Sequence, residues 1–370
     1  METKLRFLTK STFLLVVFCT LSADAARSDS YDRQAQQILE AANLKGGLIV
    51  HVGCGDGKLT AALHADESYL VHGLEADGDR VRQAREYIQS AGSYGNVSVA
   101  RFEGGQLPYV DNLVNLVVVE NPDTVLSGEV MRVLCPGGVA YVKRGTNWSK
   151  TIKPRPDDID EWTHYLYDAG GNAVSRDQVV GPPRHFQWVG SPRWARHHDR
   201  RASVSAMVSA GGRVFYIFDE GSTASIMLPP KTFLIARDAF NGMILWKRSI
   251  PNWFTHLWPF KSGPTQLQRR LVALGDRVYV TLGLDAPLVA LDAATGETVR
   301  TYANTNATEE AILSDGVLFV LVTNSPQSYD AFKPQEVGIG AERDRIMRDF
   351  PWNERPREIV AIRADTGKVL

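Results

Sequence analysis

Apolar residues recur at helical spacing from Tyr31 to Leu44 and stop at Gly46-Gly47, which predicts a helix and its end. Leu48-Ile49-Val50-His51-Val52 is a short run of the kind that forms a strand covered on both faces. It runs into the turn Gly53-Cys54-Gly55-Asp56-Gly57 and then into a helical start at Leu59 to His64. The alternation continues with a strand from Tyr69 to Leu74 and a helix from Arg80 to Ile88. Strands follow at Val97 to Phe102 and at Leu116 to Val119. A helix from Glu129 to Leu134 is closed by Pro136-Gly137-Gly138, and a fifth strand spans Val139 to Val142. Strands alternating with helices predict a parallel sheet with both faces covered, an α/β Rossmann-like domain over residues 30–150. Lys143-Arg144-Gly145 and the Pro-rich stretch after it leave little room for a final antiparallel hairpin.

The pattern changes after that domain. Residues 151–205 read as a linker and lead-in, with Lys153-Pro154-Arg155-Pro156-Asp157-Asp158 as extended polar chain. From 206 to 370 the elements are all β. Gly211-Gly212-Arg213-Val214-Phe215-Tyr216-Ile217 leads to a hairpin around Asn241-Gly242. The unit recurs at Gly275-Asp276-Arg277-Val278-Tyr279-Val280 and again at Asp315-Gly316-Val317-Leu318-Phe319-Val320. The hairpin glycines Gly242, Gly296 and Gly367 are 54 and 71 residues apart, so insertions vary between units. The third unit stops at Leu370. The chain is therefore expected to be a fragment of a longer product, with apolar faces such as Val278, Val280 and Leu318 incompletely covered.

The first 26 residues differ from the rest. Lys4, Arg6 and Lys10 precede an uncharged apolar run from Thr12 to Leu21, and Ala23-Asp24-Ala25 supplies a cleavage pattern. This predicts a signal peptide, export to the periplasm or cell envelope, and no membrane span after cleavage. Cleavage removes Cys19 and leaves Cys54 and Cys135, too few and too isolated for a disulfide framework. A formal net charge of −1 gives no global field to recruit nucleic acid or an anionic membrane.

Candidate chemistry sits at the strand ends. Gly53, Gly55 and Gly57 let a ligand approach the backbone closely, and Glu75 closes the second strand 22 residues after Gly53, where an acid can accept both ribose hydroxyls. Residues 31–145 resemble the class I S-adenosylmethionine-dependent methyltransferases. The resemblance rests on the turn His51-Val52-Gly53-Cys54-Gly55-Asp56-Gly57, on Glu75, on Glu103 ahead of Leu107-Pro108, and on Glu129-Val130-Met131-Arg132-Val133-Leu134-Cys135-Pro136-Gly137-Gly138. It implies S-adenosylmethionine as cofactor, Glu75 on the ribose and Glu103 near the adenine amino group. His51 stands where that family commonly has an acid, Asn115 where it commonly has Asp, and Glu120-Asn121-Pro122-Asp123 where acceptor-side residues often lie.

Residues 206–370 resemble the pyrroloquinoline-quinone-type β-propellers through the repeated "G-D-x-V-Y-V … L-x-A-L-D-A-x-T-G" unit, with Trp246 alone at the closing tryptophan position. Trp162-Thr163-His164-Tyr165-Leu166-Tyr167-Asp168 resembles the lead-in of such propellers. Without adjacent cysteines to stack the quinone, pyrroloquinoline quinone is not an expected ligand. The resemblance implies a platform for an unknown protein, polysaccharide or small-molecule acceptor. No metal site is expected of His164, His185, His197, His198 and Asp199, whose spacing matches no ligand pattern. Arg184, Arg193, Arg196, Arg200 and Arg201 read as a solvated loop or an inter-domain contact. Three functions stay open: an exported methyltransferase, a non-catalytic envelope scaffold with a decayed nucleotide fold, and a quinone-dependent dehydrogenase.

Overall fold

The computed structural model describes residues 30–192, 194–196, 203–224, 228–251, 253, 265–323 and 356–370. The expected signal peptide at 1–26 and the His197-His198-Asp199 cluster lie outside them. No helix among the described residues is long and apolar enough to cross a membrane. The chain divides into two units, Met1–Pro154 and Arg155–Leu370.

In the first unit, helix α1 (residues 30–42) precedes β1 (Gly47–Val52), α2 (Lys58–Ala62), β2 (Tyr69–Glu75), α3 (Gly78–Ser90) and β3 (Val97–Arg101). Then come β4 (Val114–Val119), α4 (Glu129–Val133), β5 (Leu134–Arg144) and β6 (Asn147–Ile152). The sheet order is β3-β2-β1-β4-β5-β6. β1 to β5 are parallel, and β6 is antiparallel to β5. β1 and β4 are buried at every position, as strands covered on both faces must be. Ile38 of α1, Leu59 of α2 and Val81, Ala84 and Ile88 of α3 bury against Ile49, Val71, Leu116 and Val118. α3 starts at Asp77, whose carboxylate accepts the Asp79 and Arg80 N–H groups.

Two expectations need correction here. The sheet does end in an antiparallel hairpin. Asn147–Ile152 pairs with Val139–Arg144, and Trp148 stacks on Tyr141 with ring centroids 4.9 Å apart. Lys153 is not linker: its N–H bonds the Gly138 carbonyl and its ammonium bonds Asn112 and the Leu134 carbonyl.

The second unit is three consecutive antiparallel meanders. The first joins β7 (Val204–Ala210), β8 (Arg213–Asp219), β9 (Thr232–Asp238) and β10 (Ile244–Ser249). The second joins β11 (Leu271–Leu274), β12 (Arg277–Thr281), β13 (Leu288–Asp292) and β14 (Thr298–Thr301). The third joins β15 (Thr308–Ser314), β16 (Val317–Thr323) and β17 (Arg357–Arg363). Each sheet packs on the next, so Val278, Val280 and Leu318 are fully buried rather than incompletely covered.

A clamp recurs three times within the second unit. Trp188 Nε1 donates to the Ala239 carbonyl at 3.0 Å, Trp246 Nε1 to that of Ala293 at 3.1 Å, and Tyr302 Oη to that of Ala364 at 2.6 Å. The three alanines precede the hairpin glycines Gly242, Gly296 and Gly367 by the same spacing, so Trp246 is not alone in its role. A Cβ on Gly242 or Gly296 would collide with the indole above it.

The lead-in runs along the first strand of each sheet. Trp162 exchanges bonds with Ser209 of β7, the Thr163 carbonyl accepts the Ala273 N–H of β11, and His164 Nε2 accepts the Leu313 N–H of β15. Each partner is the next-to-last residue of its strand. Because Nε2 accepts, the His164 proton sits on Nδ1 and faces Thr163 Oγ1 at 2.8 Å. Arg196, expected in a solvated loop or an inter-domain contact, is buried: it pairs with Asp219 at 2.9 Å, the two side chains 1% and 6% exposed.

Candidate nucleotide site of the first unit

β1 and β2 end side by side, and their ends carry the glycine turn and Glu75. Gly53 and Gly55 have φ of 79° and 57°, a left-handed backbone that favours glycine. Glu75 Oε2 accepts the Gly55 N–H at 2.8 Å, while Oε1 accepts those of Ala76 and Asp77 at 3.0 and 3.2 Å. An ionised carboxylate offers about four acceptor positions. Glu75 thus fixes the turn and keeps one position on Oε2 for a ligand. A Cβ added to Gly55 would meet nothing within 4 Å, so the turn faces open space. A ribose-bearing ligand fits this arrangement.

The structure separates the other candidates. Gly57 caps α2, and a Cβ there would come within 2.7 Å of the Ala84 Cβ, so the packing of α2 on α3 already requires glycine at this position. Glu103 is 75% exposed and pairs with Arg101 at 2.9 Å. Asn115 ties two strands together: from β4 its Oδ1 accepts the Leu48 N–H of β1 at 2.8 Å. Cys54 is buried, and desolvation followed by the Glu75 charge pushes its thiol up to about 12, which leaves it inert.

The structure gives partners to residues of the sequence signature and adds Tyr109 and His72 to them. Glu129 and Arg132 organise the loop after β3. The Glu129 carboxylate accepts the Leu107 N–H at 2.8 Å, and Arg132 donates to Asp111 and to the carbonyls of Leu107 and Tyr109. Tyr109 Oη lies 2.7 Å from His72 Nδ1, and burial lowers the His72 pKa and raises that of Tyr109. His51 is 2% exposed, with Nδ1 2.9 Å from Thr60 Oγ1 and no partner for Nε2. Burial lowers its pKa to about 4. Glu120 follows β4, and its Oε2 meets the Lys143 ammonium at 2.7 Å. The period-two alternation of β1, β4 and β5 puts Lys143, to which the sequence reading gave no site role, on the face that carries His51 and Glu120.

The strand order reverses between β1 and β4, and a glycine turn and an acid lie at neighbouring strand ends, the place where open α/β sheets take their ligands. More narrowly, residues 49–138 match the family described as "Methyltransferase domain". Methyltransferase GfsG of Streptomyces halstedii is 28% identical over 131 residues, which cover 32% of this chain and 47% of that protein. The chain thus spans about half the length of the curated relative it matches. Among solved structures, the [4+2]-cyclase SpnF is 26% identical, with 30% of this chain and 43% of that one covered at a TM-score of 0.28. Geranyl diphosphate C-methyltransferase of Streptomyces coelicolor A3(2) is 16% identical, with 30% and 44% covered, also at 0.28.

Proposed function

We propose that the protein is an S-adenosylmethionine-dependent methyltransferase, with Gly53 and Gly55 permitting close approach of the cofactor, Glu75 holding its ribose and Glu103 near its adenine. The observation that carries this is the Glu75–Gly55 bond beside an open turn, within the segment that matches the methyltransferase family. The cofactor supplies an electrophilic methyl group, and the protein has to position donor and acceptor in line. The inert Cys54 and the neutral His51 suit that task, since neither competes as a nucleophile or cation.

The second unit is, in this reading, part of a propeller that serves as a platform for a protein, polysaccharide or small-molecule acceptor. The recurring clamp at Ala239, Ala293 and Ala364 supports it. The basic head and apolar run of residues 1–26 support export, which sets the domain apart from a donor made in the cytosol.

Calorimetric titration of the full chain with S-adenosylhomocysteine tests the cofactor. Binding is expected, and Glu75→Ala should weaken it by about 1.5–3 kcal/mol, the range for hydrogen bonds to a charged group. Absence of heat at millimolar ligand would remove the enzyme reading and leave a scaffold.

A further inference from the structure

The first two sheets of the second unit meet through an indole. Trp246, four residues after Gly242, packs on Phe215 with ring centroids 5.9 Å apart. It also covers Gly296, where an added Cβ would come within 2.6 Å of its ring. Arg248, six residues after Gly242, donates to the Gly296 carbonyl at 2.5 Å. At the junction of the second and third sheets, arginine and aromatic ring have changed places. Arg300 stands four residues after Gly296 and donates to the Thr366 carbonyl at 3.0 Å, and Tyr302 stands six residues after it. A guanidinium on an alkyl stem fills less of the gap than an indole. A Cβ on Gly367 would meet nothing closer than 3.4 Å, at Cδ and Nη1 of Arg300.

The space so left is a cavity of about 510 Å³ between these two sheets, within the size range of small-molecule sites. Part of its wall is exposed apolar surface: Leu274 and Val299 line it and are 46% and 49% exposed. Its charges do not cancel. Arg277, Arg300 and Arg363 line it with Asp276 and Asp365, which leaves one positive charge in excess. Arg277 is held by Asp276 at 3.0 Å and by Asp292 at 3.5 Å. Neither Arg300 nor Arg363 has a carboxylate partner among the described residues.

The Tyr279 hydroxyl is the atom that calls for a ligand. Tyr279 holds the place on its sheet that Phe215 holds on the first, lines the cavity and is only 6% exposed. Its hydroxyl makes no hydrogen bond to a described residue, although a buried phenol usually finds a partner. Burial raises its pKa, so at neutral pH it keeps its proton and is a donor. A simple anion would leave the apolar wall and most of the volume unused. A neutral ring would leave two guanidiniums and the phenol unmatched. A flat ring bearing one negative charge meets both demands.

We propose that this cavity binds a small aromatic carboxylic acid, with the ring between the sheets against Leu274 and Val299, the carboxylate on Arg300 and Arg363, and Tyr279 donating to it. All of these residues belong to the second unit, so the site is independent of the cofactor reading.

The test is calorimetric titration of the full chain with indoleacetate as probe and the uncharged indoleacetamide as control. The acid is expected to bind about tenfold or more tighter than the amide, as for hydrogen bonds to a charged group. Arg363→Met, at an exposed position, and Tyr279→Phe, which removes an unpartnered atom, should each weaken the acid about tenfold. Both should keep the wild-type urea midpoint of the second unit. Arg300→Trp returns an indole to the place it holds at the first junction, and should abolish binding without lowering that midpoint. No heat with millimolar indoleacetate overturns the site. So does equal affinity for acid and amide, or unchanged affinity in both Arg363→Met and Tyr279→Phe. Binding that survives in a folded Arg300→Trp protein overturns it as well, because the acid would then sit elsewhere.

Discussion

Asp219→Ala is expected to cost the second unit about 3–5 kcal/mol, the range for removing one partner of a buried ion pair. The substitution leaves the Arg196 guanidinium buried without its carboxylate, and it also strips the Gly221 and Lys231 N–H groups of their acceptor. Most of the cost is that of the stranded charge and not the worth of the pair, so Arg196→Met with Asp219→Leu should recover much of it. Seven of the eight tryptophans lie beyond Arg155, so urea unfolding followed by tryptophan fluorescence reads mainly this unit. A loss below about 1 kcal/mol would place the pair among surface bridges.

Acid is expected to weaken the first unit through His51. The imidazole titrates near 6.5 in the unfolded chain and at about 4 in the folded one, because burial disfavours its charged form. Between these values the unfolded state binds the extra proton, so stability rises with pH. The contribution is complete above pH 6.5 and is lost as pH falls toward 4. At roughly 1.4 kcal/mol per unit it amounts to about 3 kcal/mol. His72, also lowered by burial, acts in the same direction. Denaturant melts from pH 7 to 4 should show the slope, and His51→Gln should flatten it by one proton. An unchanged slope in that variant would mean that His51 is already charged or exposed in the native state.

What the sequence made legible was whatever leaves a local pattern. β1 and β4 are apolar runs because both faces are covered, and the glycine turn and Glu75 are recognisable because one backbone shape and one spacing require them. β6 left no such trace. Asn147–Ile152 is a polar, mostly exposed edge strand, and its one signal, Trp148, acts through Tyr141 on the neighbouring strand. Arg196 looked like surface charge because its partner lies 23 residues on and the burial of both is set by packing. The coverage of Val278, Val280 and Leu318 comes from the neighbouring sheets, which a strand-by-strand pattern does not see. Gly57 shares a motif with Gly53 and Gly55, yet it answers to Ala84 of α3. The motif alone does not divide ligand approach from helix packing.

Residues 162–164 touch three sheets at very different distances along the chain, and this orders the assembly of the second unit in time. The contact from Trp162 to Ser209 closes a loop of 47 residues, while that from His164 to Leu313 closes one of 149. Loop closure becomes less favourable with the logarithm of length, so the longer contact starts about 1 kcal/mol behind. Each sheet that docks shortens the effective loop for the next, because the strand already held becomes a fixed edge. The lead-in therefore serves as a template on which the sheets are added in the order in which the chain presents them. In pulse-labelled hydrogen exchange during refolding, the Ser209 amide should gain protection before that of Ala273, and Ala273 before Leu313. Simultaneous protection of all three would mean that the sheets first assemble on one another and the lead-in docks last.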